Sequence, residues 1–169
     1  KGVSISAAAD FDVTVRDGAF VSAETRISGS GAFRHPDFYA EPLALSAASG
    51  FAAYDAATRT FSLSGLTGRL DGVAVAGEGR FGLTAAGAIE TASAFLKTGA
   101  FDIAKLVRLW PKSLAPGGRV WIAENITAGT LTEADFEFQQ TAGAPMKVSG
   151  SFAGKDLAIR YWPPLPPVT

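Results

Sequence analysis

The chain of 169 residues has no cysteine, one histidine, one methionine and few charges, 18% against a usual value of about 25%. Without cysteine there are no disulfides, thiolate metal sites or cysteine nucleophiles, although this does not decide the compartment. His35 sits in a loop before Pro36 with no second histidine or cysteine to share a metal, so it reads as a solvated loop residue and no cofactor is expected. A net charge of -1, a pI near 5.8 and scattered lysines and arginines offer no cationic footprint for phosphates, which argues against nucleic acid as a partner. No apolar run approaches the roughly 18 to 20 residues that span a bilayer. The chain as given is expected to be soluble. It starts at Lys1 and runs out in prolines, so both ends are read as cut from a longer protein, with any signal or anchor outside.

What the chain has instead is alternation. Hydrophobic residues make up 47%, much of that alanine, and a chain of this size suits one domain that buries roughly two thirds of its unfolded surface. Phe11, Val13 and Val15 alternate with Asp12, Thr14 and Arg16, and the Asp17-Gly18 turn makes them the first arm of a hairpin. Val21, Ala23, Thr25 and Ile27 form the return arm. Leu43, Leu45, Ala47, Phe51 and Ala53 are read as one period-two face running through Gly50. Phe61 and Leu63, then Val73, Val75, Phe81 and Leu83, are separated by Gly65, Gly68 and the Asp71-Gly72 turn, an antiparallel meander. Later, Ala134, Phe136 and Phe138 oppose Glu133, Asp135 and Glu137 on one strand, so one face is wet. Met146, Val148 and Phe152, then Leu157, Ile159 and Tyr161, continue the sheet. Ile27-Ser28-Gly29, Leu63-Ser64-Gly65 and Val148-Ser149-Gly150 place glycine at similar points of separate strands, which allows bulges and a sheet that curls.

One segment breaks the alternation. Ile103, Leu106, Val107 and Trp110 recur at helical spacing, Asp102 can accept hydrogen bonds from the first free amides, and Pro111 ends the helix. A second short helix carrying Trp121 is expected after a Pro116-Gly117-Gly118 turn. The expected fold is mainly β: a curved antiparallel sheet, or β-groove, with two short amphipathic helices inserted near 102–126. Ile103, Leu106, Val107, Trp110 and Trp121 are the residues expected to pack these helices on the sheet or cap it. Residues 1–162 make one β-rich segment. Residues 163–169 make a proline-rich connector to a further part of a longer chain, and their P-x-x-P spacing lacks the flanking bases of a typical peptide ligand.

Motifs for chemistry are few. Gly77-Glu78-Gly79-Arg80-Phe81-Gly82 matches a dinucleotide-binding spacing, but no helix follows and the residues continue a strand. Asp10 and Asp12 share one side of a strand, as do Glu133, Asp135 and Glu137, which is how wet outer faces look. No convergent set of titratable groups is visible, and a hydrolase built on these acids is not expected. Asn125-Ile126-Thr127 follows directly on a helix and is not taken as a glycosylation site.

The run Leu109-Trp110-Pro111-Lys112-Ser113-Leu114-Ala115-Pro116-Gly117-Gly118-Arg119-Val120-Trp121-Ile122-Ala123-Glu124-Asn125-Ile126-Thr127-Ala128-Gly129 resembles a segment of YhdP-type members of the AsmA-like superfamily. The tail Ile159-Arg160-Tyr161-Trp162-Pro163-Pro164-Leu165-Pro166-Pro167-Val168-Thr169 is similar to the strand-to-linker junction that follows it there. Val120 stands where that pattern carries an aspartate, so no role resting on that acid transfers. The resemblance implies an internal segment of an inner-membrane-anchored envelope protein of diderm bacteria, which extends through the periplasm as a curled apolar sheet. It implies a part in moving phospholipid towards the outer membrane and in outer-membrane integrity, with the rest of the parent chain as a partner.

Both lines converge on a bent sheet with one apolar face and helices over part of it. Val13, Val15, Leu45, Phe51, Leu63, Val75, Phe81, Phe136, Phe138, Val148, Phe152 and Ile159 are expected to face one concave surface that contacts phospholipid acyl chains or packs under the helices. The alternative is a structural or glycan-binding β-sandwich without catalysis, using Trp110, Trp121 or Trp162 as stacking platforms.

Overall fold

The computed structural model describes residues 2–34, 36 and 38–160, with side chains from residue 6 onward. His35, Trp162 and the proline-rich connector therefore lie outside the described residues. The chain runs β1 (Gly2–Arg16), β2 (Ala19–Arg34), β3 (Leu43–Asp55), β4 (Thr60–Leu70), β5 (Val73–Leu83), β6 (Ile89–Thr98) and β7 (Phe101–Asp102). A 3-10 turn (Ile103–Lys105), α1 (Leu106–Leu109) and α2 (Pro116–Asn125) follow, then β8 (Ile126–Thr141) and β9 (Lys147–Ile159).

All nine strands join one open antiparallel sheet. β7 is the continuation of β6, because Thr98 lies opposite Ala134 and Phe101 opposite Leu131, one register carried three residues further along β8. β9 pairs with the other side of β8. The sheet is thus a simple meander, and the helices are its excursion between β7 and β8.

Local chemistry accounts for the turns. Asp17-Gly18 and Asp71-Gly72 both take positive φ, the conformation that matches a two-residue hairpin loop to strand twist. In the β3–β4 turn the Asp55 carboxylate accepts from the amide and the hydroxyl of Thr58, each at 2.7 Å. These bonds favour the ionised acid and hold its pKa below the usual value.

Bulges in β3 and β4 bend the sheet at mid-strand. Ala47, at φ 50°, is the extra residue of β3, and Gly65, at φ 56°, is the extra residue of β4. Beside them the strands approach closely. A Cβ on Gly77 would stand 2.6 Å from the Phe95 carbonyl oxygen, and one on Gly29 would stand 2.3 Å from that of Ser6. A crease therefore crosses the sheet from β2 through β6 to β8, at right angles to the strands. It divides a helix-bearing side from the side that carries the four hairpin turns.

The bulge in β3 also corrects one expectation. Leu43 and Leu45 face inward with Ala48, Gly50 and Ala52, whereas Phe51 and Ala53 turn to the outer face, since the inserted Ala47 shifts the period of two by one residue. Phe51 pairs there with Arg26, whose guanidinium lies 5.1 Å from the ring centroid, and covers the bare Gly65.

Two predictions test this frame. Gly77→Ala should cost about 1–3 kcal/mol through overpacking at the crease, while Ala47→Gly should gain up to about 1 kcal/mol by relieving a left-handed alanine; urea unfolding of both variants checks the pair. Tyr39, in the β2–β3 connection, stands edge-on to Phe33 at 5.6 Å, and burial pushes its phenol up to about 12 from an ordinary value of 10.0. The unfolded chain ionises first, so stability from this site is lost as pH rises from 10 towards 12. An ultraviolet titration should contain a late phenol step that Tyr39→Phe removes.

Candidate functional site

The inner face of the sheet forms an apolar trough. Cross-strand register aligns Val13 with Ala23 and Tyr54, Leu63 with Gly79 and Ala94, Phe61 with Phe81, and Phe138 with Val148. The opposite face carries Asp10, Asp12, Glu24, Arg26, Glu78, Arg80, Asp135 and Glu137. Along the crease lies a cavity of about 450 Å³, walled by Ile27, Leu45, Leu63, Leu66, Phe81 and Phe138 with Gly50, Gly77 and Gly79 among the small residues. No residue of the helical insertion lines it. The sheet alone lines this space, which stays open on one side. It crosses from β2 to β8, five strand spacings or roughly 24 Å.

Val13, Val15, Leu45, Leu63, Val75, Phe81, Phe136, Phe138, Val148 and Phe152 share this inner face by register. Phe51 does not, for the reason given above. Ile159 lies at the helical end of the sheet, opposite Ile126. Several inner residues stay open to solvent: Val13 is 59% exposed and Phe152 51%. Ile27, Leu66, Ala94 and Leu96 belong to the trough but were outside the expected set. The alternation that would have found Leu66 is interrupted by the bulge at Gly65, and alanine and glycine carry too little hydropathy to mark a face.

The helices fill one side of the face. Asp102 accepts from the Ala104 amide at 2.8 Å and starts the 3-10 turn, and α1 ends at Leu109 with Trp110 extended. α2 differs from expectation: Gly117 and Gly118 lie inside it, with Pro116 as its first residue, a position where the missing N–H is harmless. Ile103, Leu106 and Ile122 are buried against Val73, Phe101 and Leu131, with Leu109, Trp110 and Ile126 packed at the margin. Val107 is half-buried. Trp121 is 44% exposed, a correction to its expected packing role, because the turn of α2 gives the inward position to Ile122.

Polar groups clamp this cap to the sheet. The Arg108 guanidinium meets Asp71 in the β4–β5 turn, donates to Glu41 at 2.7 Å, and reaches the Pro42 carbonyl at 3.3 Å. Bonding to Asp71 and then to Glu41 favours its charged form and raises its pKa. Arg119 donates to the Val107 carbonyl from two nitrogens at 3.2 and 3.0 Å, which ties α2 to α1. The Trp110 indole donates to the Leu114 carbonyl at 2.6 Å, so its ring is engaged in packing and is not free to stack on a sugar.

The outer face is a wet ladder. Lys97 bonds Glu133 at 3.1 Å and lies 4.0 Å from Asp135; the bond to Glu133 is the main cause of its raised pKa. Among the described residues there is no group of three or more acidic or histidine side chains placed to hold a metal. No helix of the described residues is long and apolar enough to cross a membrane. The described residues form one open sheet, not two packed sheets, so the sandwich form of the alternative does not hold.

No protein-family model, curated protein or solved structure matches this chain. Leu106→Ala should destabilise the fold by about 2–5 kcal/mol by opening a cavity under the cap, whereas Trp121→Ala should stay within about 0.5 kcal/mol; chemical denaturation measures both.

Proposed function

We propose that the trough holds phospholipid acyl chains, and that the chain is a non-enzymatic lipid-carrying segment of a longer envelope protein. The observation that carries this reading is the uncovered apolar crease, with a volume of about 450 Å³ and almost no polar lining. Its length of roughly 24 Å exceeds the depth of one acyl layer, about half of a 30 Å hydrocarbon core. Glu78, the one charged residue along it, is turned to the outer face by register, so the lipid's polar end would stay outside and its tails alone would be gripped. Contiguous apolar surface of this kind marks a binding site or an interface.

The resemblance of residues 109–129 and 159–169 to YhdP-type members of the AsmA-like superfamily supports the same reading. It adds the periplasm, an inner-membrane tether in the parent protein and outer-membrane integrity as the setting. Phospholipid and the rest of the parent chain are the partners in this proposal, and no nucleic acid or cofactor is involved.

Native mass spectrometry of the purified chain should find retained phospholipid, and fluorescence of cis-parinaric acid should rise on binding. Ala94→Phe, which fills the trough from its floor, should weaken probe binding at least fivefold, while Glu24→Ala on the outer face should leave it unchanged. Absence of retained lipid together with absence of probe binding by the folded chain would sink the proposal.

A further inference from the structure

The end of the sheet opposite the helices is divided in charge. Its β1–β2 and β3–β4 turns are flanked by Arg16, Asp17, Asp55 and Arg59. Its β5–β6 and β8–β9 turns carry nothing comparable: neither residues 81–89 nor residues 138–146 include a charged side chain. The two uncharged turns are neighbours, joined by the Ala142 amide donating to the Glu90 carbonyl at 2.7 Å. Exposed turns are ordinarily built from polar residues. Here they read Ala85-Ala86-Gly87-Ala88-Ile89 and Ala142-Gly143-Ala144-Pro145-Met146, with Ile89 56% and Met146 48% exposed.

This lip is continuous with the trough. A second cavity of about 390 Å³ lies between Ile89, Met146 and Phe81, and it shares Phe81, Ala94 and Phe138 with the crease. Charge lies at its margins: Glu90 and Lys147 sit just outside the two uncharged runs, Arg59 donates to the Leu83 carbonyl at 3.3 Å, and Arg80 borders Ala144 and Pro145, so the apolar tip at Ile89 and Met146 is bordered by charge without containing any. A small apolar edge backed by a polar face has the character of an element that lies in a membrane interface.

We propose that the lip formed by the β5–β6 and β8–β9 turns dips into a phospholipid surface by apolar insertion, so that acyl chains pass over Ile89 and Met146 into the trough. The purpose of the contact rests on the trough binding acyl chains, but the insertion is measured separately. The lack of cysteine makes the test direct. Ala86→Cys in the uncharged lip and Ala57→Cys in the charged β3–β4 turn each provide a single attachment point for an environment-sensitive dye.

With phosphatidylcholine vesicles the dye at position 86 should shift to the blue and the dye at position 57 should not, at low and at high salt alike. Ile89→Asp combined with Met146→Asp should reduce co-sedimentation with these vesicles at least fivefold; both sites are exposed, and circular dichroism confirms the fold. Equal shifts at both positions, no shift at either, or a shift confined to anionic vesicles and abolished by salt overturns the proposal. If cis-parinaric acid still binds in solution while the lip fails, the trough reading survives alone. If neither occurs, both readings fall.

Discussion

A single sheet with one greasy face and no second layer has to bend or be covered, and the close backbone approach at the crease is the contact on which everything else depends. Gly29 and Gly77 leave no room for a side chain against the neighbouring strand. The bulges at Ala47 and Gly65 add the extra residues that a bent strand requires. Together these positions turn the inner face towards itself. Without them the same sequence pattern would present a flat apolar surface with nothing opposite it.

Bending also explains why the tight core is small and lies at one end. Leu131 and Val73 are almost wholly buried because α1, α2 and the 3-10 turn cover them. On the other side of the crease the inner face keeps Val15 at 60% exposure and Phe20 at 45%. The cap is therefore a local solution, held by Leu106 and Ile122 in packing and by Arg108 across to Asp71 and Glu41. The pair with Glu41 is exposed on both sides and contributes little by itself, while Asp71 is only 13% exposed. Their part is to fix where the apolar side of the cap lands.

Much of this was legible in the sequence. The Asp17-Gly18 and Asp71-Gly72 turns, the wet and dry sides of β8, the Asp102 cap and the helical interruption follow from local patterns that structure obeys strand by strand. What was not legible came from insertion and from small residues. One extra residue at Ala47 sends Phe51 to the outer face, where Arg26 and Gly65 give it partners that no periodicity announces. Gly117 and Gly118 look like a turn, yet Pro116 starts a helix through them, and the resulting phase buries Ile122 in place of Trp121. The crease itself is written in glycine and alanine, residues whose hydropathy is weak and whose role is to leave space.

That space bears on occupancy. A sheet meant to pack against its own helices would fill its floor to interior density with leucine, isoleucine and phenylalanine, since unfilled volume forfeits dispersion contacts. Here the large residues Leu45, Leu63, Phe81 and Phe138 stand around the cavity, while Ala48, Gly50, Gly77, Gly79 and Ala94 lie along it. Such an arrangement is costly if the trough stays empty and reasonable if a flexible apolar chain lies in it, because a chain with many conformers conforms to a smooth floor better than to a toothed one. The wet outer ladder of Lys97, Glu133 and Asp135 keeps the opposite face in water. The division between the faces thus favours a guest on one side and solvent on the other.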